Sequence, residues 1–290
     1  MLNSRLVYDR KAGTCYSDVQ YGGGFLKKLY GTAFGRFVMP LVLSKPVSKI
    51  GGLYTDTWLS RMHIPKFIRK NNINMEEYED RKFRSLNDFF TRRIRDGKRP
   101  VAEGDGVFVS PADSKLSIYP ISSEKRILIK GNEYTLEDLV GSGMDLTDFA
   151  EGKCLVFRLS VDDYHRYGFP DSGKVLSSRH IKGRLHTVSD ISSQHRVYQE
   201  NSRVVSSYQT ENFGRVIMIE VGALMVGRIV NHEIVDFRKG QEKGYFRLGG
   251  STIVVLCQAN VLKLDEDIEE YAAQGMEVRL RYGERVGLST

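Results

Sequence analysis

The sequence predicts an α+β protein, an antiparallel β-rich body preceded by a basic, amphipathic helical N-terminal region. Three observations predict it. Apolar residues at spacings of three and four run through residues 24–95, as in Phe25 and Leu29 and again in Ile64, Phe67 and Ile68. From residue 107 onward the pattern changes to short β-type runs divided by Gly, Asn or Asp. The charge divides near the same place: residues 1–104 hold 20 Lys/Arg against 10 Asp/Glu, and the remainder holds 23 against 26.

In the front region, "FLKKLYGTAFGRFVMPLVL" and "IPKFIRK" set aromatic residues beside lysines. Such a helix can lie in a membrane interface with its cations among the headgroups, or pack on a core with a solvated basic face. The pattern fits both. The apolar stretch "FVMPLVLSKPVSKIGGLY" is broken by Pro40, Lys45, Pro46 and Lys49 before the roughly 20 residues that a spanning helix needs, so no bilayer crossing is expected. In "SLNDFFTRRI", Ser85 predicts an N-cap and Asp88 stands at the third position, where a carboxylate faces the free amides. "DGKRPVAEGDG" then reads as a polar linker or wide turn, which divides a basic helical region (1–104) from a β-rich domain (105–290).

Within that body the expected strands are "VFVS", "KLSIYPI", "RILIK", "CLVFRLS", "GKVLSSRHI", "SRVVSSYQT", "GRVIMIEVGALMVGRIVNHEIV", "STIVVLCQANVLKL" and "EVRLRYGERVG". "TLEDLVG" is the clearest helix among them. A hydrophobic content of 41% is ordinary for a chain with a core. Cys15, Cys154 and Cys257 are odd in number and form no CxxC, which points away from a disulfide framework or a zinc site and toward a reducing compartment. The basic front suits nucleic acid or an anionic membrane, where each nearby Lys or Arg contributes about 1 kcal/mol of attraction.

No GxSxG elbow, P-loop, GxGxxG or HExxH is present. What remains is Asp113 in "SPADSK", His165 in "DYHRYGFP", His186 in "GRLHTV" and the tetrad Gly249-Gly250-Ser251-Thr252 ahead of "IVVL". Ser, His and Asp are the components of an activated hydroxyl, because the imidazole takes the proton and the carboxylate holds its tautomer. Each also has a plain reading: a hairpin turn for the tetrad, a turn or cap for Asp113, a hydrogen-bonded structural histidine for His165.

The combination is more specific than its parts. "LNDFFTR", "SPADSK", "KGNEYTLEDLVG", "LSVDDYHRY", "IEVGALMVGRI", "KGQEKGYFRLGGSTIVVL" and "YGERVG" follow one another as in the phosphatidylserine decarboxylase proenzyme family, and the resemblance runs from about Asn87 to Gly287. "LGGST" resembles that family's self-cleavage signature, and the basic helical front resembles its membrane-facing region, which implies a membrane-facing region at 1–104 and a catalytic domain at 105–290. The resemblance implies autocatalytic scission between Gly250 and Ser251, with Ser251 consumed to make a covalent pyruvoyl cofactor. A large chain (1–250) and a small chain (251–290) would stay associated non-covalently. It further implies conversion of phosphatidylserine to phosphatidylethanolamine and CO₂ in phospholipid biosynthesis, at the cytoplasmic face of the cell membrane as a peripheral protein. The implied partners are phosphatidylserine and an anionic membrane surface, without nucleic acid or metal, and a homo-oligomer is left open.

Carried over to this sequence, Asp113 and a histidine activate Ser251, and His165 moves the proton in decarboxylation. One position departs. Many relatives have a second histidine three residues after the first, assigned to self-processing, and here Gly168 stands there. Either His165 then serves both steps or His186 arrives from another strand, and the second is the favoured expectation. His180, His195 and His232 have no motif support. Two other functions compete: a pyruvoyl decarboxylase of a soluble, for example aromatic, amino acid, and a non-catalytic β protein that binds anionic lipid or nucleic acid, with the tetrad as a hairpin.

Overall fold

Strands rich in Val, Ile and Leu that must bury both faces belong in the middle of a sheet, and "STIVVLC" is placed there. The computed structural model describes residues 5–18, 31, 32, 34, 37, 38, 45–129, 131–184, 196–222, 229–248 and 251–290. Numbered in chain order, ten strands form one sheet. Its spatial order is β13 (Asp236–Phe237), β9 (Gly173–Ile181), β10 (Arg203–Thr210), β11 (Arg215–Gly222), β15 (Ser251–Cys257), β7 (Lys153–Leu159), β4 (Ser114–Pro120), β17 (Glu277–Leu280), β1 (Arg5–Asp9) and β2 (Thr14–Asp18). Neighbours are antiparallel except β1 and β17, which run parallel.

Smaller sheets are laid against it. One comprises β12 (Ile229–Asn231), β14 (Glu242–Phe246) and β8 (Arg166–Gly168), and another β16 (Leu262–Leu264), β18 (Arg285–Ser289) and β3 (Val107–Val109). A hairpin joins β5 (Arg126–Ile129) to β6 (Asn132–Thr135). Alternation along the strands gives the large sheet two apolar faces. Phe157, Met218, Ile253 and Val255 pack on one with Tyr167 and Phe246 of the first small sheet. Val156, Ile219, Val254 and Leu256 pack on the other with Leu136 and Tyr198.

The described helices are short: α1 (Lys45–Asp56), α2 (Ile64–Lys70), α3 (Leu86–Phe90), α4 (Leu136–Val140), α5 (Val197–Glu200) and α6 (Glu266–Ala273). Helix α3 starts as its sequence predicts, with Ser85 Oγ accepting from the Asp88 amide at 3.1 Å. In α4, Thr135 and Asp138 cap each other's amides, which holds a five-residue helix that propensity alone would not support.

The β-rich antiparallel body agrees with expectation; each β-type run supplies at least one strand, but the long ones are interrupted, by turns over residues 258–261 and 281–284 and by irregular chain at 232–235. The stretch "FLKKLYGTAFGRFVMPLVL" lies largely outside the described residues. The front region also opens differently from its helical reading: residues 5–18 are a strand hairpin on the edge of the large sheet. Of these two strands only Val7 is buried, so there was no apolar alternation to reveal them. An ion pair between Arg5 and Glu277 at 2.6 Å helps seat β1 on β17.

Candidate active site

Ser251 is the first residue of β15, pairing with Leu159 of β7 on one side and Gly222 of β11 on the other. It is 1% exposed, and its Oγ has no hydrogen-bond partner among the described residues. Gly249 and Gly250 lie outside the described residues. The chain leading to them is well held, because the Phe246 amide donates to the His165 carbonyl at 2.9 Å and the Leu248 amide to Asn87 Oδ1 at 3.0 Å. Asn87 in turn donates to Asp56 Oδ1 at 2.7 Å, which Arg247 also contacts at 3.0 Å. Helices α1 and α3 of the front region thus grip the segment just ahead of the tetrad.

His165 is fully buried next to β8, its ring 4.0 Å from that of Phe90. Nδ1 lies 2.9 Å from the Asp163 carbonyl oxygen, which can only accept, so Nδ1 carries the proton and Nε2 the lone pair. Nε2 has no partner among the described residues. Burial, which removes water from a charged ring, pushes the imidazole pKa down to about 3, outweighing the attraction of Asp163. At neutral pH His165 is therefore an uncharged proton acceptor.

This burial has a thermodynamic signature. The folded pKa lies below the unfolded value, so the unfolded chain takes up a proton first as pH falls below about 6.5. Stability is then lost at about 1.4 kcal/mol per pH unit, or about 2 kcal/mol between pH 6.5 and 5. Urea unfolding across this range should show that loss in the native protein and its absence in His165→Gln; equal slopes would show that the ring is not held neutral.

Asp113 is buried, but its partners are not histidines. Arg99 spans both carboxylate oxygens (Nε to Oδ1 3.0 Å, Nη2 to Oδ2 2.7 Å), and the Tyr282 amide donates to Oδ1 at 2.7 Å. Arg99 also holds Glu77 at 2.8 Å. Among the described residues, Ser251, His165 and Asp113 form no hydrogen bond with one another. His186 lies outside the described residues.

Gly168 receives a physical explanation. A Cβ placed there would lie 2.3 Å from Tyr282 Oη and 2.7 Å from the Gln241 carbonyl oxygen. Tyr282 is fixed in place by its hydroxyl, which donates to the Gly240 carbonyl at 2.8 Å. The phenol therefore occupies the space that any side chain at residue 168 would need.

Sequence reasoning missed several groups around this centre. Lys115 and Asp163 form a buried pair at 2.7 Å, and Asp163 also accepts from the Ser160 amide at 2.7 Å, bracing the loop that presents His165. Arg92 is fully buried between the rings of Tyr78 and Phe89, with its Nε and Nη1 unpartnered among the described residues. Their letters were in the quoted motifs, and a charge inside an apolar context signals a required partner. A polar cleft of about 140 Å³ opens nearby, bordered by Asp113, Asp162, Asp163, Arg279 and Arg281.

Among the described residues, the buried Ser251 hydroxyl at the head of a central strand and the His165 Nε2 both lack a hydrogen-bond partner. Comparison with known proteins addresses the family. The family model described as phosphatidylserine decarboxylase matches residues 86–288. The chain belongs to the phosphatidylserine decarboxylase family.

A "Phosphatidylserine decarboxylase proenzyme 2" of Clostridium acetobutylicum is 45% identical over 283 residues, covering 97% of each chain. A "Phosphatidylserine decarboxylase proenzyme" of Clostridium botulinum is 34% identical over 289 residues, covering 97% of this chain and 98% of its own. One of Chlamydia felis is 34% identical over 269 residues, covering 90% of each. Membership makes this phosphatidylserine decarboxylase relative an enzyme, and neither competing function is favoured by the matches. No helix among the described residues is long and apolar enough to cross a membrane.

Proposed function

We propose that this decarboxylase cuts itself between Gly250 and Ser251, carries the resulting pyruvoyl group at residue 251, and converts phosphatidylserine to phosphatidylethanolamine and CO₂ at a membrane surface. The observation that carries the reading is the Ser251 hydroxyl, buried at the head of β15 with no partner among the described residues. A buried hydroxyl left unsatisfied costs roughly 1–3 kcal/mol, a cost with a purpose where the oxygen must be free to attack. Scission would leave β15 paired to β7 and β11 over its whole length, so the small chain 251–290 stays in the core.

A pyruvoyl group supplies a carbonyl electron sink for the charge left as CO₂ departs. The residues fit it. The group would sit where Ser251 sits, between Leu159 and Gly222, with bulk water excluded. His165, with Nδ1–H bound to a carbonyl and an Nε2 lone pair that has no partner among the described residues, can take a proton from the substrate amine and return one to the α-carbon. Asp113, fixed by Arg99, places a carboxylate at the cleft wall to receive the headgroup amine. His186 remains a proposed participant in self-processing.

The membrane would be met by the front region. Leu53, Tyr54, Trp58, Leu59 and Met62 are exposed, Trp58 by 75% and Met62 by 73%, beside exposed Arg61, Lys66 and Arg69. Apolar side chains ringed by cations suit the headgroup boundary of an anionic bilayer on its cytoplasmic face. The double variant Trp58→Ser/Met62→Ser should bind phosphatidylserine vesicles about 10- to 100-fold more weakly, from the apolar burial it forgoes. Turnover of detergent-dispersed lipid should be unchanged. Vesicle sedimentation reads the first and CO₂ release the second.

Incubation with phosphatidylserine vesicles, and separately with free serine and aromatic amino acids, tests the substrate. CO₂ from the vesicles alone is expected. Release from a free amino acid alone would move the enzyme to the soluble-substrate reading.

A further inference from the structure

Glu220 is the one acidic residue of the apolar strand β11 and is fully buried. Lys243 of β14, also buried, crosses from the small sheet to meet it, Nζ to Oε1 at 2.8 Å. Asn231 Nδ2 donates to Glu220 Oε2 at 3.2 Å, and Asn231 Oδ1 accepts from the Tyr167 hydroxyl at 2.8 Å. The Tyr167 ring lies 5.9 Å from Nζ. None of the roles described so far uses this network.

Its register connects it to the cut. Gly222 is directly across from Ser251 and Glu220 directly across from Ile253, with no bulge between. Ser251 and Ile253 therefore share a sheet face with Met218 and Glu220. Ser251 and Glu220 are diagonal neighbours, with Cα atoms about 7–8 Å apart. Gly222 puts no side chain beside Ser251 on that strand. On the small sheet, β14 pairs with β8 at Gly168, the position of the absent histidine.

We propose that Lys243, held by Glu220, is the group that takes the Ser251 proton during chain cleavage. The proposal rests on the reading of Ser251 as the cleaved residue. A buried lysine beside a serine is an established alternative to histidine as the base for a hydroxyl. Burial lowers the Lys243 pKa and raises that of Glu220, so both shift toward an uncharged amine and an uncharged acid. Among the described residues, the titratable groups facing Nζ are Glu220 and Tyr167, while Tyr208 of β10 faces Glu220.

The step balances within the chain. As Oγ bonds to the Gly250 carbonyl carbon, its proton passes to the neutral Lys243 amine and the carbonyl π pair moves to oxygen. When that pair returns, the bond from carbon to the Ser251 nitrogen breaks, and the lysine ammonium gives its proton to that nitrogen. An ester and a free amine result, with no outside reactant.

Two variants test this by intact mass. Lys243→Arg keeps a cation opposite Glu220, but arginine does not deprotonate at ordinary pH. Glu220→Leu/Lys243→Met replaces the pair with apolar side chains of similar volume, a change that buried ion pairs often tolerate. Cleavage should slow by about 10²- to 10⁴-fold in both, the usual contribution of a positioned base. The native cleavage rate should climb with pH, and the residual rate of Lys243→Arg should lack that climb. If Lys243→Arg does not fold, the double variant decides. Cleavage of a folded variant at the native rate overturns the proposal, as does a block by His186→Ala with Lys243→Arg still cut. An uncut native chain would instead overturn the reading of Ser251.

Discussion

Ser251→Ala remains one chain of 33.0 kDa, whereas the native protein separates under denaturing conditions into residues 1–250 and the 40 residues 251–290. Alanine removes the only atom at residue 251 able to attack the preceding carbonyl, and with it the precursor of the cofactor. Decarboxylation should fall by about 10⁶-fold or more, the lower range of enzymatic acceleration over the uncatalysed reaction. The fold should survive. Ser251 Oγ makes no hydrogen bond among the described residues, so its removal breaks none and relieves the burial of an unpaired hydroxyl. Circular dichroism and intact mass read the two halves of this result. A variant that is still cut between residues 250 and 251 would remove Ser251 from the reaction.

His165→Gln should separate the two activities. Its chain is expected to be cut at close to the native rate, because the proposed base for scission is Lys243, while turnover of phosphatidylserine falls about 10²- to 10⁴-fold. Glutamine preserves a polar side chain in the pocket beside Phe90 but cannot shuttle a proton. The mass spectrum should therefore show the small chain in a protein that releases little CO₂. Loss of both cleavage and turnover in a folded His165→Gln would return the processing role to this histidine. Retention of both would leave the proton transfer to another group.

Much of this protein could be read directly. "TIVVL" announced a strand buried on both faces, and it is the central strand between β7 and β11. Ser85 and Asp88 announced the start of α3. The tetrad and the ordered motifs announced the family. Other features were silent because their partners are distant in sequence. The strands β1 and β2 carry almost no apolar pattern, and what holds them is pairing with β17, near the other end of the chain. Glu220 and Lys243 look like ordinary solvated charges until the small sheet is laid over the large one.

By itself the sequence determined the local matters: which residues form strands, where short helices begin, and that a serine after two glycines stands ahead of a core strand. It also showed that the second histidine is absent. Only the tertiary structure decided why, since Tyr282 fills the space beside Gly168, and which buried charges lie on the Ser251 face of the sheet. Side-chain alternation and capping depend on neighbours a few residues apart, which a sequence displays. Desolvation and close approach depend on what the folded chain brings from far away, and those two effects set both the proton affinity of His165 and the ion pair proposed to activate Ser251.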